Sequence, residues 1–300
     1  MPSPLTLAAI VAMAAVAAAA DDGGPLLGFT PASSARQRAV EAVFLPLPDA
    51  RRCEALHREL TAEPHVAGTE GGRRVAERIA QRFRESGLDT AIESYDVLLS
   101  FPRAVAVEMT APRRAVLGTR EAAIAEDPDS ANEALSGPWH AYSASGEVTA
   151  EVVYVNHGRA EDYDTLSALG VDVRGKIALA RHFKGYRGGK SLEAEKRGVA
   201  ALLTYSDPAE DGYVRGDVYP RGPWGPGTHV QRGANVYDFI VPGDPLTPGW
   251  ASVPGARRIP ESESRILPKM MSAPLSFHDA RVLLEALEGP VRPAAEWQGG

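Results

Sequence analysis

Four fixed cations, Arg181, Lys184, Arg187 and Lys190, fall within RHFKGYRGGK, residues 181–190, and no acid interrupts them. The chain as a whole carries a formal net charge of -7, so this local excess runs against the background. An arginine presents a planar fork that donates two parallel hydrogen bonds to a carboxylate; a lysine adds a less directional charge. Gly185, Gly188 and Gly189 would let the backbone approach a ligand closely. The chemistry suggested is anion recognition. An ordinary basic surface loop is the competing reading, and Arg181 and Lys190 read as structural or solvated.

This stretch must be held by its neighbours. KIALA, residues 176–180, reads as a short buried strand, and SLEAEKRG as a helix of two turns after the loop. VAALLTYSD, from Val199, is the next buried strand. Upstream, residues near 148–155 and AVAVEMT from Ala104 read as strands, and EDYDTLSALG as a short helix stopped by its glycine. The order strand, short helix, strand, short helix, strand is α/β. Residues 206–262 read mostly as loop, a length that is often functional. SFHDARVLLEALEG reads as a last helix, with Ser276 and Asp279 as a capping box and Gly289 and Pro290 as its stop.

The start of the chain is a different object. Residues 5–20, LTLAAIVAMAAVAAAA, are apolar except for Thr6 and end in small residues before two aspartates. This pattern suggests a signal peptide over residues 1–20, hence a secreted or periplasmic protein; membrane anchoring is the alternative. Residues 21–48 read as a leader. Asp49 caps a helix to Thr61, with Cys53, Leu56 and Leu60 on one face expected to be core. Thr69 or Glu70 opens a second helix with Val75, Ile79 and Phe83 as its stripe, closed by Gly87. TAIESYDVLL, residues 90–99, reads as a strand. These pieces bury too little to stand alone.

Several chemistries are absent from the sequence. It holds no HExxH, no zinc-ribbon cysteine pair, no GxSxG elbow and no P-loop. The pI of about 5.6 argues against a general nucleic-acid binder. With one cysteine, no intrachain disulfide forms. His65 reads as a loop histidine, and Tyr95 and Asp96 fit strand and turn roles as well as a cleft.

Seven stretches in order carry a family resemblance: PHVAGTEGG (64–72), YDVLLSFP (95–102), VYVNHGRAEDY (153–163), GKIALARHFKGYRGGK (175–190), YSDPAE (205–210), VQRG (230–233) and GDPLTPG (243–249). From residue 49 onward the chain resembles the amino-terminal part of glutamate carboxypeptidase-like M28 zinc peptidases, of transferrin-receptor-like architecture. The resemblance implies an α/β fold in which residues 49–103 are the first piece of an interrupted peptidase domain. Residues 104–300 would be the inserted protease-associated, or PA, domain.

The remaining expectations follow from that resemblance. Two zinc ions would act only in the complete enzyme, with ligands downstream, so no residue here is assigned as catalytic or as a zinc ligand. The chain alone is expected to be inactive. Arg187 matches the arginine that grips the terminal carboxylate of a peptide, and Lys184 a lysine that contacts an acidic side chain. The family has Asn directly after QRG; here Ala234 stands there, and Asn235 is the substitute one place on. Thr247 and Trp250 match positions that help hold a structural calcium. A homodimer of the complete protein also belongs to the architecture. Non-catalytic relatives, receptor-like proteins or PA-domain binding proteins, are the alternative.

Overall fold

The computed structural model describes residues 24–118, 121–289 and 295–299. The apolar run of residues 5–20 and its expected cleavage lie outside them, as do Pro290 and Gly300. No helix among the described residues is long and apolar enough to cross a membrane.

The chain divides into two compact units, the first ending at His65 and the second beginning at Val66. The first unit contains α1 (Pro31–Phe44) and α2 (Ala50–Leu60). Thr30 caps α1 and Pro31 occupies its first turn, where a missing N–H costs nothing. Thus a helix begins within the segment read as leader. Asp49 caps α2 as expected, accepting from Arg52 N at 2.8 Å. The expected burial of its apolar face is corrected: Cys53 and Leu56 are exposed. Spacing made the face amphipathic, but nothing within the unit covers it.

The second unit opens with α3 (Glu70–Glu85), capped by Thr69 and followed by Gly87 at φ +80°. Val75 and Ala80 are buried, while Ile79 and Phe83 are exposed. The strand expected at residues 90–99 does not form. That segment is tied instead by isolated bonds, among them Asp96 N to Ser252 O at 2.8 Å, Leu98 N to an Asp244 carboxylate oxygen at 2.7 Å and the Tyr142 hydroxyl to Leu98 O at 2.7 Å. Alternation alone makes no strand without a neighbour to complete the ladder.

The centre is a four-stranded parallel sheet of β4 (Val152–Tyr154), β5 (Ile177–Arg181), β6 (Ala201–Tyr205) and β8 (Met271–Leu275), in that order. Alternate residues serve opposite faces. Ala178, Ala180 and Leu202 pack with Tyr163 and Leu166 of α4 (Ala160–Ala168) and Ala194 of α5 (Arg187–Lys196). Leu179, Leu203 and Tyr205 pack on the other side with Ala280 and Leu283 of α6 (Phe277–Ala286) and the hairpin of β1 (Val107–Met109) and β2 (Ala115–Leu117). The sequence had not suggested β8. Its Pro274 is tolerated because the strand lies at the sheet edge, where one N–H side needs no partner. A separate parallel pair joins β3 (His140–Ala141) to β7 (Gly233–Ala234).

Candidate functional site

The basic stretch begins at the carboxyl end of β5 and runs into α5, which starts at Arg187 rather than at Ser191. Loops at the carboxyl ends of parallel strands are the usual ligand-bearing places of open α/β sheets. The four cations divide into two roles. Arg181 is buried and structural: its Nη2 donates to Asn156 Oδ1 at 2.6 Å, and its Nη1 lies 3.7 Å from Asp207 Oδ2. Lys190 is also structural, with 2% exposure. Its Nζ donates to the carbonyls of His157 (2.5 Å) and Phe183 (2.8 Å), fastening the loop to the strand ends. Burial lowers its pKa to about 8.

Arg187 is held differently. Its Nη1 donates to Gln231 Oε1 at 3.2 Å and lies 3.2 Å from His182 Nε2. His182 is buried, and burial, reinforced by Arg187, lowers its pKa to about 3. The imidazole is therefore neutral near pH 7, and Nε2 can accept the guanidinium proton. Both acceptors are uncharged, and no carboxylate among the described residues forms an ion pair with Arg187. The nearby acid Glu121 is already occupied. Its carboxylate lies 2.6 Å from Arg232 Nη2 and 3.3 Å from His229 Nδ1, and it accepts from Val230 N at 2.8 Å. Burial alone would raise its pKa, but these partners more than offset that and hold it at about 2.

Two glycines shape this site by close packing. A Cβ on Gly188 would lie 2.4 Å from the Val236 carbonyl, so this glycine brings α5 against the 235–236 backbone rather than against a ligand. A Cβ on Gly233 would lie 2.1 Å from Arg187 Cζ. Gly233→Ala should displace the guanidinium while leaving the core intact, because the clash is with the movable end of a side chain. We expect an unchanged melting temperature and loss of carboxylate binding by about tenfold, the worth of one charged hydrogen bond. Calorimetric titration with a small acyl amino acid checks this; unaltered affinity would remove Gly233 from the site.

The other expected residues are scattered. Lys184 is exposed, at φ +53°, and its charge acts on Glu210 and His157. Asn235 is 1% exposed and its amide is turned inward. Nδ2 donates to Ser272 Oγ at 2.5 Å and lies 3.3 Å from His140 Nδ1; His140 Nε2 lies 3.2 Å from Thr204 Oγ1. This amide thus supports the layer behind Arg187 and is not an open donor. Thr247 Oγ1 donates to Asp244 Oδ2 at 3.0 Å, and Trp250 Nε1 to the Arg257 carbonyl at 2.7 Å. Both stabilise the GDPLTPGW turn. Among the described residues no group of three or more His, Cys, Asp or Glu is gathered to hold a metal ion. His182, Gln231 and Gly233 were not read as site residues from sequence, although VQRG and RHFKGYRGGK both contributed to the resemblance.

Residues 148–235 match the family model of the PA domain. This span lies inside the expected 104–300. The chain is 37% identical over 246 residues to the probable glutamate carboxypeptidase VP8 of Zea mays, covering 81% of this chain and 31% of that protein. It is 37% identical over 257 residues to a glutamate carboxypeptidase 2 homolog of Caenorhabditis elegans, covering 81% and 33%. It is 34% identical over 262 residues to the aminopeptidase NAALADL1 of Rattus norvegicus, covering 84% and 34%. The alignments therefore span 31–34% of the length of these curated relatives. An α/β architecture, a PA domain and extended identity to both kinds of peptidase together support an M28-family glutamate carboxypeptidase- or aminopeptidase-like protein with a PA domain.

Proposed function

We propose that this chain supplies the substrate-recognition part of a glutamate carboxypeptidase-like metallopeptidase, and that Arg187 holds the terminal carboxylate of a peptide. The observation that carries this reading is the uncompensated charge of Arg187. Arg174, Arg197, Arg232 and Arg258 each lie within ion-pair distance of a carboxylate. Arg187 is oriented by neutral acceptors and keeps its charge for a ligand. The helix that starts there has no side-chain cap, and the open amides of a first turn favour an anion in the same place.

Hydrolysis in the complete enzyme would draw on two zinc ions as the Lewis acid. The described residues offer no donor cluster for them, so this chain's own contribution is binding and orientation of the peptide end. Lys184 would add a preference for an acidic side chain only if it turned from Glu210 toward Arg187.

Titration of the chain with N-acetyl-leucine and with N-acetyl-leucinamide tests the reading. Binding of the acid, and none of the amide at the same concentration, is expected. Equal binding of the two would overturn carboxylate recognition.

A further inference from the structure

We propose that the surface beside Arg187 selects a peptide whose last residue is apolar or aromatic, not acidic. This rests on the reading that Arg187 holds the terminal carboxylate, and it names the side chain that accompanies that carboxylate.

Three aromatic rings lead away from the guanidinium. Arg187 Cζ lies 6.0 Å from the centroid of the Tyr186 ring. Tyr186 meets Phe239 edge to face, with centroids 6.0 Å apart and ring planes at 89°. Phe239 in turn lies 6.2 Å from Tyr237. The far end of this series is anchored. Tyr237 is buried in a cluster with Val236 and Ile266, its hydroxyl donates to Glu195 Oε2 at 2.8 Å, and its backbone N–H bonds to Ile266 O. The near end is open: Tyr186 is 42% exposed and Phe239 54%. Two large rings are thus presented to solvent on a fixed base, next to a cation without a counter-ion.

Charge decides between kinds of occupant. Asp238 separates Tyr237 from Phe239 in sequence, and its charge acts on the Tyr186 hydroxyl: after burial it is the main cause of that phenol's raised pKa. An acidic side chain resting on these rings would meet this carboxylate. Lys184, which could have answered it, acts on Glu210 and His157. A ligand with one carboxylate on Arg187 and an apolar group on Tyr186 and Phe239 complements every group here. One with a second carboxylate does not.

The test is binding of N-acetyl-phenylalanine, N-acetyl-leucine and N-acetyl-glutamate, with the corresponding amides, to the whole chain and to Phe239→Ala and Asp238→Asn. The phenylalanine and leucine acids should bind about three- to tenfold tighter than the glutamate acid, the range of one aromatic contact. Phe239→Ala should erase that difference and keep the preference for acid over amide. Asp238→Asn should improve binding of the glutamate acid alone. If acids and amides bind alike, or no probe binds, the Arg187 reading falls and this proposal with it. If acids are still preferred over amides but glutamate binds as well as phenylalanine, or Phe239→Ala leaves their ratio unchanged, this proposal alone is overturned.

Discussion

Arg187→Ala should weaken binding of a free-acid peptide end by about 2 kcal/mol or more, roughly thirtyfold, while leaving the amidated peptide unaffected. The lower end of the range for charged partners applies because the side chain is half-buried and partly screened. The loss should be specific to charge and geometry. Arg187→Lys keeps the charge but not the planar fork, so it should recover only part of the affinity. Folding should be little altered. Removal of the guanidinium leaves His182 Nε2 and Gln231 Oε1 without their donor, but it breaks no ion pair. Titration of acid and amide pairs with both variants, alongside thermal melting, gives the result. An equal loss on acid and amide would assign Arg187 to the architecture of the loop and not to carboxylate recognition.

What the sequence could not disclose at this site is which cation is free. Arg181, Lys184, Arg187 and Lys190 have similar local contexts, and spacing gives no hint that Lys190 is the most enclosed. Its fate is decided by the His157 and Phe183 carbonyls, which come from the end of the neighbouring strand and from the loop itself. Arg187 is singled out by Gln231, 44 residues away, and by the absence of a Cβ on Gly233. The resemblance chose Arg187 as a position of interest; the contacts that support the proposal are tertiary ones.

The same division runs through the fold. Helix starts were legible because they are written locally: Asp49, Thr69 and Ser276 each cap the helix that their hydroxyl or carboxylate suggested. Helix faces were less so. The spacing of Cys53 and Leu56 fixes which way they point together, not whether anything covers them, and they are exposed. Strands depend most on partners. Residues 90–99 alternate well and form none, whereas MSAPL, with a proline and a methionine, becomes β8 through five residues paired with β6. Asn235, expected as a substitute for a donor at position 234, has its amide turned inward for a similar reason. A shift of one residue turns the side chain to the opposite side of the extended chain, and there it meets His140 and Ser272.

Acidification should destabilise the second unit well above the carboxylate range, and the cause is again a set of buried neutral groups. Burial lowers His140 and His182 to about 3, aided in His140 by His182 and Arg187, and lowers His157 to about 4, aided by Arg181 and Lys190. All three are 5% exposed or less. In the unfolded chain each returns to a pKa of about 6.5. Between those values the unfolded state binds more protons than the folded one, so stability is complete above pH 6.5 and falls as pH drops toward 4. Each such histidine contributes about 1.4 kcal/mol per pH unit, and the three together about 4. Glu210 and Asp211 oppose this in part, because burial raises both and the folded state gains protons there first. Glu121, held at about 2, adds its own loss only below its ordinary range. Against a total stability of about 5–15 kcal/mol, a fall of one pH unit below 6.5 should move the urea midpoint clearly downward. His140→Gln retains a donor and an acceptor and cannot titrate, so it should remove about a third of the slope. Urea midpoints measured between pH 7.5 and 5.5 for the wild type and this variant decide the matter. A flat profile in the wild type, or the same slope in both, would mean that these histidines are not held neutral by the fold.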